Sequence, residues 1–181
     1  MAIEKSRRYT ADEFFQLVPE TNTPCELYNG EIIDLASTNT LHQRMVSRML
    51  VSISNFITQN KGKCEVFPAP YDVKLNFENV VQPDIFVVCD PNKLDDKRCN
   101  GAPDLVIEIT STNHYHDYYR KFHLYKNFGV REYWIIDPEQ SLIHIYGFED
   151  GSSDVYTFEQ SVPVGIFGGE LKINLKELLG T

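Results

Sequence analysis

The spacing of apolar residues divides the chain into a succession of helices and strands. Thr10 and Glu13 stand three positions apart, the spacing of a capping box, and predict a short helix through about residue 18. Apolar alternation on both sides of Asn29-Gly30 predicts a β-hairpin, because this dipeptide favours the tightest hairpin turns. From about residue 39 to residue 60 apolar side chains recur every three or four positions, which is typical of a long amphipathic helix.

Strand-like segments dominate the rest of the chain. Three of them precede a third helix, which is predicted from about residue 116 to 128: CEVFPAPYDVKL, VVQPDIFVVCD and PDLVIEIT. REYWIIDP and SLIHIYGF follow as a pair, and a weak strand near residues 155 to 158 and a short helix near 175 to 179 complete the chain. This order indicates an α/β or α+β domain with one central mixed β-sheet.

The length and composition fit an ordinary globular protein. A chain of 181 residues is long enough to bury a core, and we expect one domain over residues 1 to 181. No segment reaches the roughly 20 consecutive apolar residues that a transmembrane helix needs, and the first residues lack the apolar stretch of a secretory signal. We therefore expect no membrane association and a cytoplasmic location.

Charge and cysteine content narrow the function classes. The net charge of -9 argues against a general nucleic-acid coat protein, whose affinity comes from neutralising phosphates, but it leaves a nuclease open because bound cations change the local field. The four cysteines lack the paired spacing of a zinc site, so we expect them to be reduced thiols.

One strand carries a carboxylate among apolar residues. In PDLVIEIT, strand alternation directs Val106 and Glu108 to one face of the sheet and Ile107 to the other. A carboxylate in such a place is costly unless a charged or hydrogen-bonding group meets it. Asp104 is four residues away, about 13 Å along a strand, so a partner has to come from a neighbouring strand.

Asp84 is the candidate partner for Glu108. It begins an almost equally apolar run, DIFVV, and the two carboxylates could share a hard cation if the strands are neighbours. Mg²⁺ commonly binds one or two carboxylates together with water and phosphate oxygens, and the backbone carbonyl of Ile109 could add a ligand. On the following helix, Lys121 could reach the end of the Glu108 strand. A metal-bound water beside a lysine suits phosphodiester hydrolysis.

An ordered set of motifs across about residues 9 to 146 resembles the Uma2 family, also called DUF820. The motifs are ELYNGEI, a histidine, YDV, VVQPDIFVV, GAPDLVIEIT, DYYRKFHLY and GVREYWIIDP. That family is placed in the PD-(D/E)XK nuclease superfamily. The resemblance implies a restriction-endonuclease-like core in which a central mixed sheet is flanked by helices.

The resemblance also implies roles for particular residues. The two superfamily acids fall on Asp84 and Glu108, which would hold Mg²⁺, or Mn²⁺ as a substitute, with help from the carbonyl of Ile109. Thr110 stands where the motif lysine is usual, and Lys121 matches the displaced position that related families use. Glu26 matches an acid that adds to the site. The implied reaction is hydrolysis of DNA, and a homodimer would cut two strands.

Simpler interpretations exist for each residue. Glu108 could lie on a solvent-facing side of the sheet, Asp84 could serve turn chemistry, and Glu26 could be an exposed hairpin acid. Lys121 has the spacing for a surface ion pair with Asp117. We expect His42 to cap or buttress the long helix, with a proton-relay role as the alternative. We expect Asp72 to be a strand-end residue, with support of the site's acids as the alternative.

Two other functions remain open at this point. A non-catalytic protein-interaction scaffold could retain the nuclease fold, and the acidic composition favours that alternative because association with DNA would be slow. A phosphatase or nucleotide hydrolase could use the same carboxylates on small phosphate esters.

Overall fold

Helices and short strands alternate along the chain in the order that the sequence predicts. The structure is a computed structural model that describes residues 7–18, 24–35, 37–110 and 115–180, except for the side chains of residues 115–118. The helices in this part of the chain are α1 (Ala11–Leu17), α2 (Thr40–Gln59), α3 (Tyr115–Phe128) and α4 (Leu175–Leu179). The strands are β1 (Cys25–Tyr28), β2 (Glu31–Asp34), β3 (Glu65–Pro68), β4 (Val73–Lys74), β5 (Val80–Val81), β6 (Ile85–Val88), β7 (Cys99–Asn100), β8 (Leu105–Ile109), β9 (Glu132–Asp137), β10 (Leu142–Gly147), β11 (Ser152–Thr157), β12 (Val162–Pro163) and β13 (Lys172–Ile173).

A mixed six-stranded sheet occupies the centre of the molecule, with the strand order β11-β10-β9-β8-β6-β3. Strands β8 and β9 are parallel, since α3 connects them, and the other neighbours in this sheet are antiparallel. A second sheet has five strands in the order β2-β1-β5-β4-β7, and β12 pairs with β13. The expected mixed sheet flanked by helices is therefore present.

Both faces of the six-stranded sheet are covered, and strand β8 shows why. Leu105 and Ile107 are fully buried in a core that they share with residues of α2 and α4. Val106 is buried on the opposite face, with Leu124 and Tyr125 of α3 and with residues of the five-stranded sheet. The alternation that the sequence predicts for this strand is confirmed.

Local signals at the chain start are also confirmed. Thr10 and Glu13 form the reciprocal hydrogen bonds of a capping box at the start of α1. Asn29 and Gly30 join β1 to β2 with φ angles of 48° and 80°, the left-handed backbone that a two-residue type I′ turn requires. Helix α2 begins after Asn39, whose side chain accepts the backbone N–H of His42. Asn39, rather than the His42 ring, is thus the cap.

Two predicted strands are each divided between the two sheets. VVQPDIFVVCD forms β5 of the five-stranded sheet and β6 of the six-stranded sheet, with Pro83 in the break. CEVFPAPYDVKL divides into β3 and β4 in the same way, across Pro70. Proline donates no hydrogen bond to a ladder, so the chain changes sheets at these positions. The expectation of a single sheet was wrong in this respect.

The cysteine expectation also needs correction. Cys64 and Cys89 form a disulfide. They flank the pairing of Glu65 with Val88 in antiparallel strands, which brings their Cα atoms to 3.9 Å from each other. Strand register creates this proximity, and spacing in the sequence does not reveal it. Cys25 and Cys99 are free thiols, and burial raises the pKa of each to about 11.

None of the helices in the described ranges is both long and apolar enough to cross a membrane.

Candidate active site

Asp84 and Glu108 lie beside each other at the end of two neighbouring strands. Strands β6 and β8 are antiparallel, with Ile85 opposite Ile107, so the next pair outward is Asp84 and Glu108. The backbone N–H of Ile109 donates to Oδ2 of Asp84 at 2.8 Å. Asp84 and Glu108 could share a cation only if their strands are neighbours, and β6 and β8 are neighbours.

Helix α3 supplies two donors to Glu108. Nζ of Lys121 lies 2.9 Å from Oε1 of Glu108, and the hydroxyl of Tyr125 donates to the same oxygen at 2.7 Å. Lys121 and Tyr125 are four residues apart and hence share one face of the helix. Glu108 is consequently directed toward α3, as Val106 is, and its side chain is only 12% exposed.

Glu26 reaches the same lysine from the other sheet. It lies on β1 and is 5% exposed, and its Oε1 accepts Nζ of Lys121 at 3.1 Å. The same oxygen accepts the backbone N–H of Gln82 at 2.9 Å. Lys121 therefore bridges carboxylates that belong to two different sheets.

Burial and crowded charge perturb the groups around Lys121. Burial is the main reason that the pKa of Glu108 rises to about 7; nearby Asp84 and Glu26 raise this pKa further, while Lys121 and Tyr125 oppose the rise. Burial alone would lower the pKa of Lys121, but Glu108 and Glu26 outweigh it, so the net shift is upward. Burial, followed by the charge of Glu108, raises the pKa of Tyr125 well above its usual range.

In each of the three carboxylates, one oxygen atom makes all the hydrogen bonds that lie within the described residues. Oδ2 of Asp84 and Oε1 of Glu108 and Glu26 make the contacts above. Within the described ranges no hydrogen bond reaches the second oxygen of any of these carboxylates. No set of three or more His, Cys, Asp or Glu side chains in the described residues is arranged to hold a metal ion. The site thus offers free carboxylate oxygens without forming a protein-only cage.

The structure brings together the four residues that the sequence singled out for catalysis. Asp84 directly precedes β6, Glu108 lies on β8, Lys121 on α3 and Glu26 on β1. The rival partner of Lys121, the side chain of Asp117, lies outside the described residues. Ile109 contributes its N–H to Asp84, and the role of its carbonyl as a ligand stays a prediction.

Three residues make contacts at this site that were not predicted. The first is Tyr125, although its four-residue spacing from Lys121 signals a shared face of the helix. Gln82 joins Glu26 through its backbone, and its side-chain amide donates to Asp72 at 2.9 Å. Nε2 of His42 lies 3.0 Å from Oδ2 of Asp84, a proximity that no local pattern encodes.

Sequence comparison identifies the family of the chain. A family model named Uma2, described as "Putative restriction endonuclease", matches residues 11–175. The chain belongs to the Uma2 family. The resemblance that the motifs indicated is confirmed, and family and fold together indicate a restriction-endonuclease-like nuclease.

Two relatives of this Uma2 chain are informative. The crystal structure of a "putative nuclease belonging to DUF820" from Anabaena variabilis superposes with a TM-score of 0.78 at 23% identity, and the match covers 94% of this chain and 97% of the other. An uncharacterized protein from Synechocystis sp. strain PCC 6803 is 23% identical over 146 residues, which is 79% of this chain and 76% of that protein. The structural match confirms the fold.

Proposed function

We propose that this Uma2 protein is a nuclease that hydrolyses DNA phosphodiester bonds with a bound divalent cation, Mg²⁺ or in its place Mn²⁺. The observation that carries the proposal is the arrangement around Lys121. One buried ammonium touches Glu108 and Glu26, and Asp84 lies opposite Glu108 across two paired strands. A purely structural ion pair would not need three carboxylates for one ammonium.

Charge and ligand type at this site fit a divalent ion. When ionised, three carboxylates and one ammonium carry a formal charge of -2. Burial is the main reason that the pKa of Glu108 is raised, and the charges of Asp84 and Glu26 add to the rise, so a further cation would be favourable here. Free carboxylate oxygens are the ligands that Mg²⁺ prefers, and Mg²⁺ generally needs only one or two of them. Asp84 and Glu108 would hold the ion.

Backbone geometry supports Ile109 as a further ligand. In an extended residue the N–H and the C=O are directed to the same side of the strand. Since the N–H of Ile109 is directed to Asp84, its carbonyl is directed to that side as well. We include this oxygen in the proposed ligand set.

The chemical contribution of each group follows from its environment. A bound Mg²⁺ would polarise the phosphate and make a coordinated water more acidic. Lys121 stays protonated at neutral pH, because its pKa is raised, so it orients the attacking water and offsets negative charge at phosphorus rather than removing a proton. Glu26 assists by fixing the ammonium from the second sheet.

Two basic side chains that could contact DNA are engaged within the protein. In the basic segment that includes Lys93 and Arg98, Lys93 donates to the carbonyl of Ala102 and the guanidinium of Arg98 stacks on Phe15. Arg120, which precedes Lys121 on α3, is exposed, and its guanidinium lies 5.8 Å from the centroid of the Tyr28 ring. We propose that Arg120 contacts a substrate phosphate.

A site that cuts both strands would also need two copies of the chain, so we propose a homodimer on DNA.

Cleavage of DNA by the purified protein tests the proposed function. We expect nicking of supercoiled plasmid with Mg²⁺ or Mn²⁺, none with EDTA, and a loss of at least about 100-fold in Glu108→Gln and Lys121→Met. Glu139→Gln and Lys126→Met are matched controls outside the site, and both should cleave normally. Sedimentation of the protein with a duplex would report the dimer.

The alternatives give different results in the same assays. Turnover of a small phosphate ester without plasmid nicking would identify a phosphatase. Absence of cleavage together with absence of Mg²⁺ and Mn²⁺ binding by calorimetry would contradict the nuclease and favour the interaction scaffold.

A further inference from the structure

His42 contacts Asp84 from the face of the central sheet opposite α3. Its Nε2 lies 3.0 Å from Oδ2 of Asp84, and its side chain is 7% exposed. Helix α2, which carries His42, packs on the face of the sheet that contains Ile107. Asp84 is thus held from one face while Glu108 is held from the other by α3.

Within the described residues, Asp84 is the polar group that the imidazole of His42 contacts. Its second nitrogen, Nδ1, is buried and has no hydrogen-bond partner within the described residues. An unsatisfied buried nitrogen is unfavourable, and an apolar ring of the same shape would avoid that penalty. The contact with Asp84 is therefore the polar interaction that distinguishes histidine from phenylalanine at this position.

We infer that His42 is a positioning residue that fixes the orientation of the Asp84 carboxylate for cation binding. The imidazole and the N–H of Ile109 both occupy Oδ2. Oδ1 then remains as the oxygen that Asp84 presents to the ion. Partners of this kind orient the ligands of metal sites and typically change metal affinity by about 10- to 100-fold when they are removed. The inference rests on the proposed function.

The surroundings of His42 are rigid enough for such a role. Asn39 caps the first turn of α2 by accepting the backbone N–H of His42 at 2.9 Å. Three residues later, Met45 begins the buried stripe of α2 and is 1% exposed. The imidazole is consequently fixed by a capped helix start and by the core beneath it, so it can define the position of a carboxylate.

Two substitutions separate the polar contact from the packing of the ring. His42→Phe keeps a ring and removes both nitrogens, whereas His42→Gln retains an N–H donor that can reach Asp84. By calorimetry with Mn²⁺ alone, we expect His42→Phe to bind the ion about 10-fold or more weakly than the wild type. His42→Gln should restore binding to within about threefold. Plasmid cleavage by His42→Phe should approach the wild-type rate at saturating Mn²⁺.

A helix-packing control distinguishes positioning from general destabilisation. Ile53→Val perturbs the buried face of α2 near its middle without touching Asp84. It should lower the melting temperature and leave the Mn²⁺ affinity unchanged. Equal Mn²⁺ affinity in His42→Phe and wild type would overturn the inference, as would equal weakening in His42→Phe and His42→Gln. Failure of the proposed function is recognised separately, because the wild type itself would then bind no Mn²⁺.

A double-mutant cycle tests whether His42 affects Mn²⁺ binding by way of Asp84. His42→Phe should weaken Mn²⁺ binding in the wild-type background and change it little in Asp84→Asn, because the carboxylate that it positions is then gone. If the two substitutions weaken binding independently, His42 acts on another group and the inference is wrong.

Discussion

Lys121 and Glu26 are 95 positions apart in the chain, yet Nζ of the lysine lies 3.1 Å from Oε1 of the glutamate. This contact joins α3 to β1 of the five-stranded sheet, while the contact of the same ammonium with Glu108 joins α3 to the central sheet. The ammonium of Lys121, for which we propose a role in catalysis, is thus also an electrostatic link between the two sheets. Its removal should affect stability as well as cleavage.

We predict that Lys121→Met destabilises the protein at neutral pH. Two buried carboxylates would lose their positive partner, and breaking a buried ion pair from one side costs about 3 kcal/mol. The raised pKa of Lys121 means that its stabilising charge is fully present at every pH below the usual lysine value, so the loss is felt throughout the neutral range. Urea denaturation of the variant at pH 8 and pH 5 would measure it.

The pH comparison supplies the check on this prediction. Glu108 takes up a proton more readily in the folded state, so the cost of Lys121→Met should be smaller at pH 5 than at pH 8. Lys126→Met, which changes an exposed lysine of the same helix, should be nearly neutral at both pH values. An equal loss at pH 5 and pH 8 would show that the cost arises from packing rather than charge.

The stability of Glu108→Gln relative to the wild type should increase as the pH rises. The pKa of Glu108 is about 7 in the folded protein against an ordinary value of 4.5, so the stability contributed by its bound proton is complete below 4.5 and lost as pH rises to about 7. Glutamine does not titrate. The stability of the variant relative to the wild type should therefore increase across this interval by on the order of 2 to 3 kcal/mol.

Thermal or urea unfolding at a series of pH values, without divalent ions, tests this expectation. Lys121 remains ionised over the whole interval, so its own protonation does not change. The slope therefore reports the titration of Glu108 and of the charges coupled to it. A difference that does not change between pH 4.5 and 7 would mean that Glu108 is ionised throughout.

Tyr125→Phe should shift the pH dependence of cleavage toward higher pH. The hydroxyl donates to Oε1 of Glu108 at 2.7 Å and opposes the rise in the pKa of that carboxyl. Without it Glu108 would hold its proton to higher pH, and the carboxylate needed for cation binding would form later. Loss of this hydrogen bond should also cost about 1 to 2 kcal/mol of stability.

The pH–rate profile of the variant measures the shift. Tyr156→Phe, on β11, is a control because that residue lies outside the contacts of the site. An unchanged profile together with lower stability would assign Tyr125 to folding alone.

Alternation along single strands was predictable from the sequence, and pairing between distant strands was less so. The faces of Val106 and Glu108 follow from the geometry of any strand. The apolar runs also suggested that Asp84 could meet Glu108, but the division of VVQPDIFVVCD between two sheets depends on long-range pairing. The same dependence explains why the Cys64–Cys89 disulfide was missed, since only the register of β3 and β6 brings these residues together.

Glu108 is not alone among the described residues as a carboxylate within an apolar strand. Glu132 in REYWIIDP has the same setting, and it is 4% exposed. Their partners differ, however. Both oxygens of Glu132 are occupied by N–H donors, whereas Glu108 retains an oxygen without a hydrogen bond within the described residues. Sequence shows that a carboxylate is buried, and only the contacts reveal whether an oxygen remains for a ligand.

Glu132 should therefore be a stability residue without a part in catalysis. Its carboxylate accepts Nε1–H of Trp134 at 2.6 Å and the backbone N–H groups of Gly165 and Ile166 at 3.0 and 2.7 Å, which ties β9 to the turn Gly165–Phe167. Glu132→Ala would leave three donors without this acceptor, and at about 1 to 3 kcal/mol for each unsatisfied group the variant should lose several kcal/mol. Gly165→Ala should destabilise as well, since its Cβ would lie 2.9 Å from Oε2 of Glu132.

Urea denaturation followed by the fluorescence of Trp134, the single tryptophan of the chain, gives these losses directly. Glu139→Ala, an exposed glutamate in the turn after β9, should change stability by less than about 0.5 kcal/mol. Under conditions where Glu132→Ala is still folded, its Mn²⁺ affinity should equal that of the wild type, because Glu132 contacts none of the groups around Lys121. Weaker Mn²⁺ binding by the folded variant would show that the two buried carboxylates are coupled, and Glu132 would then have to be included in the active site.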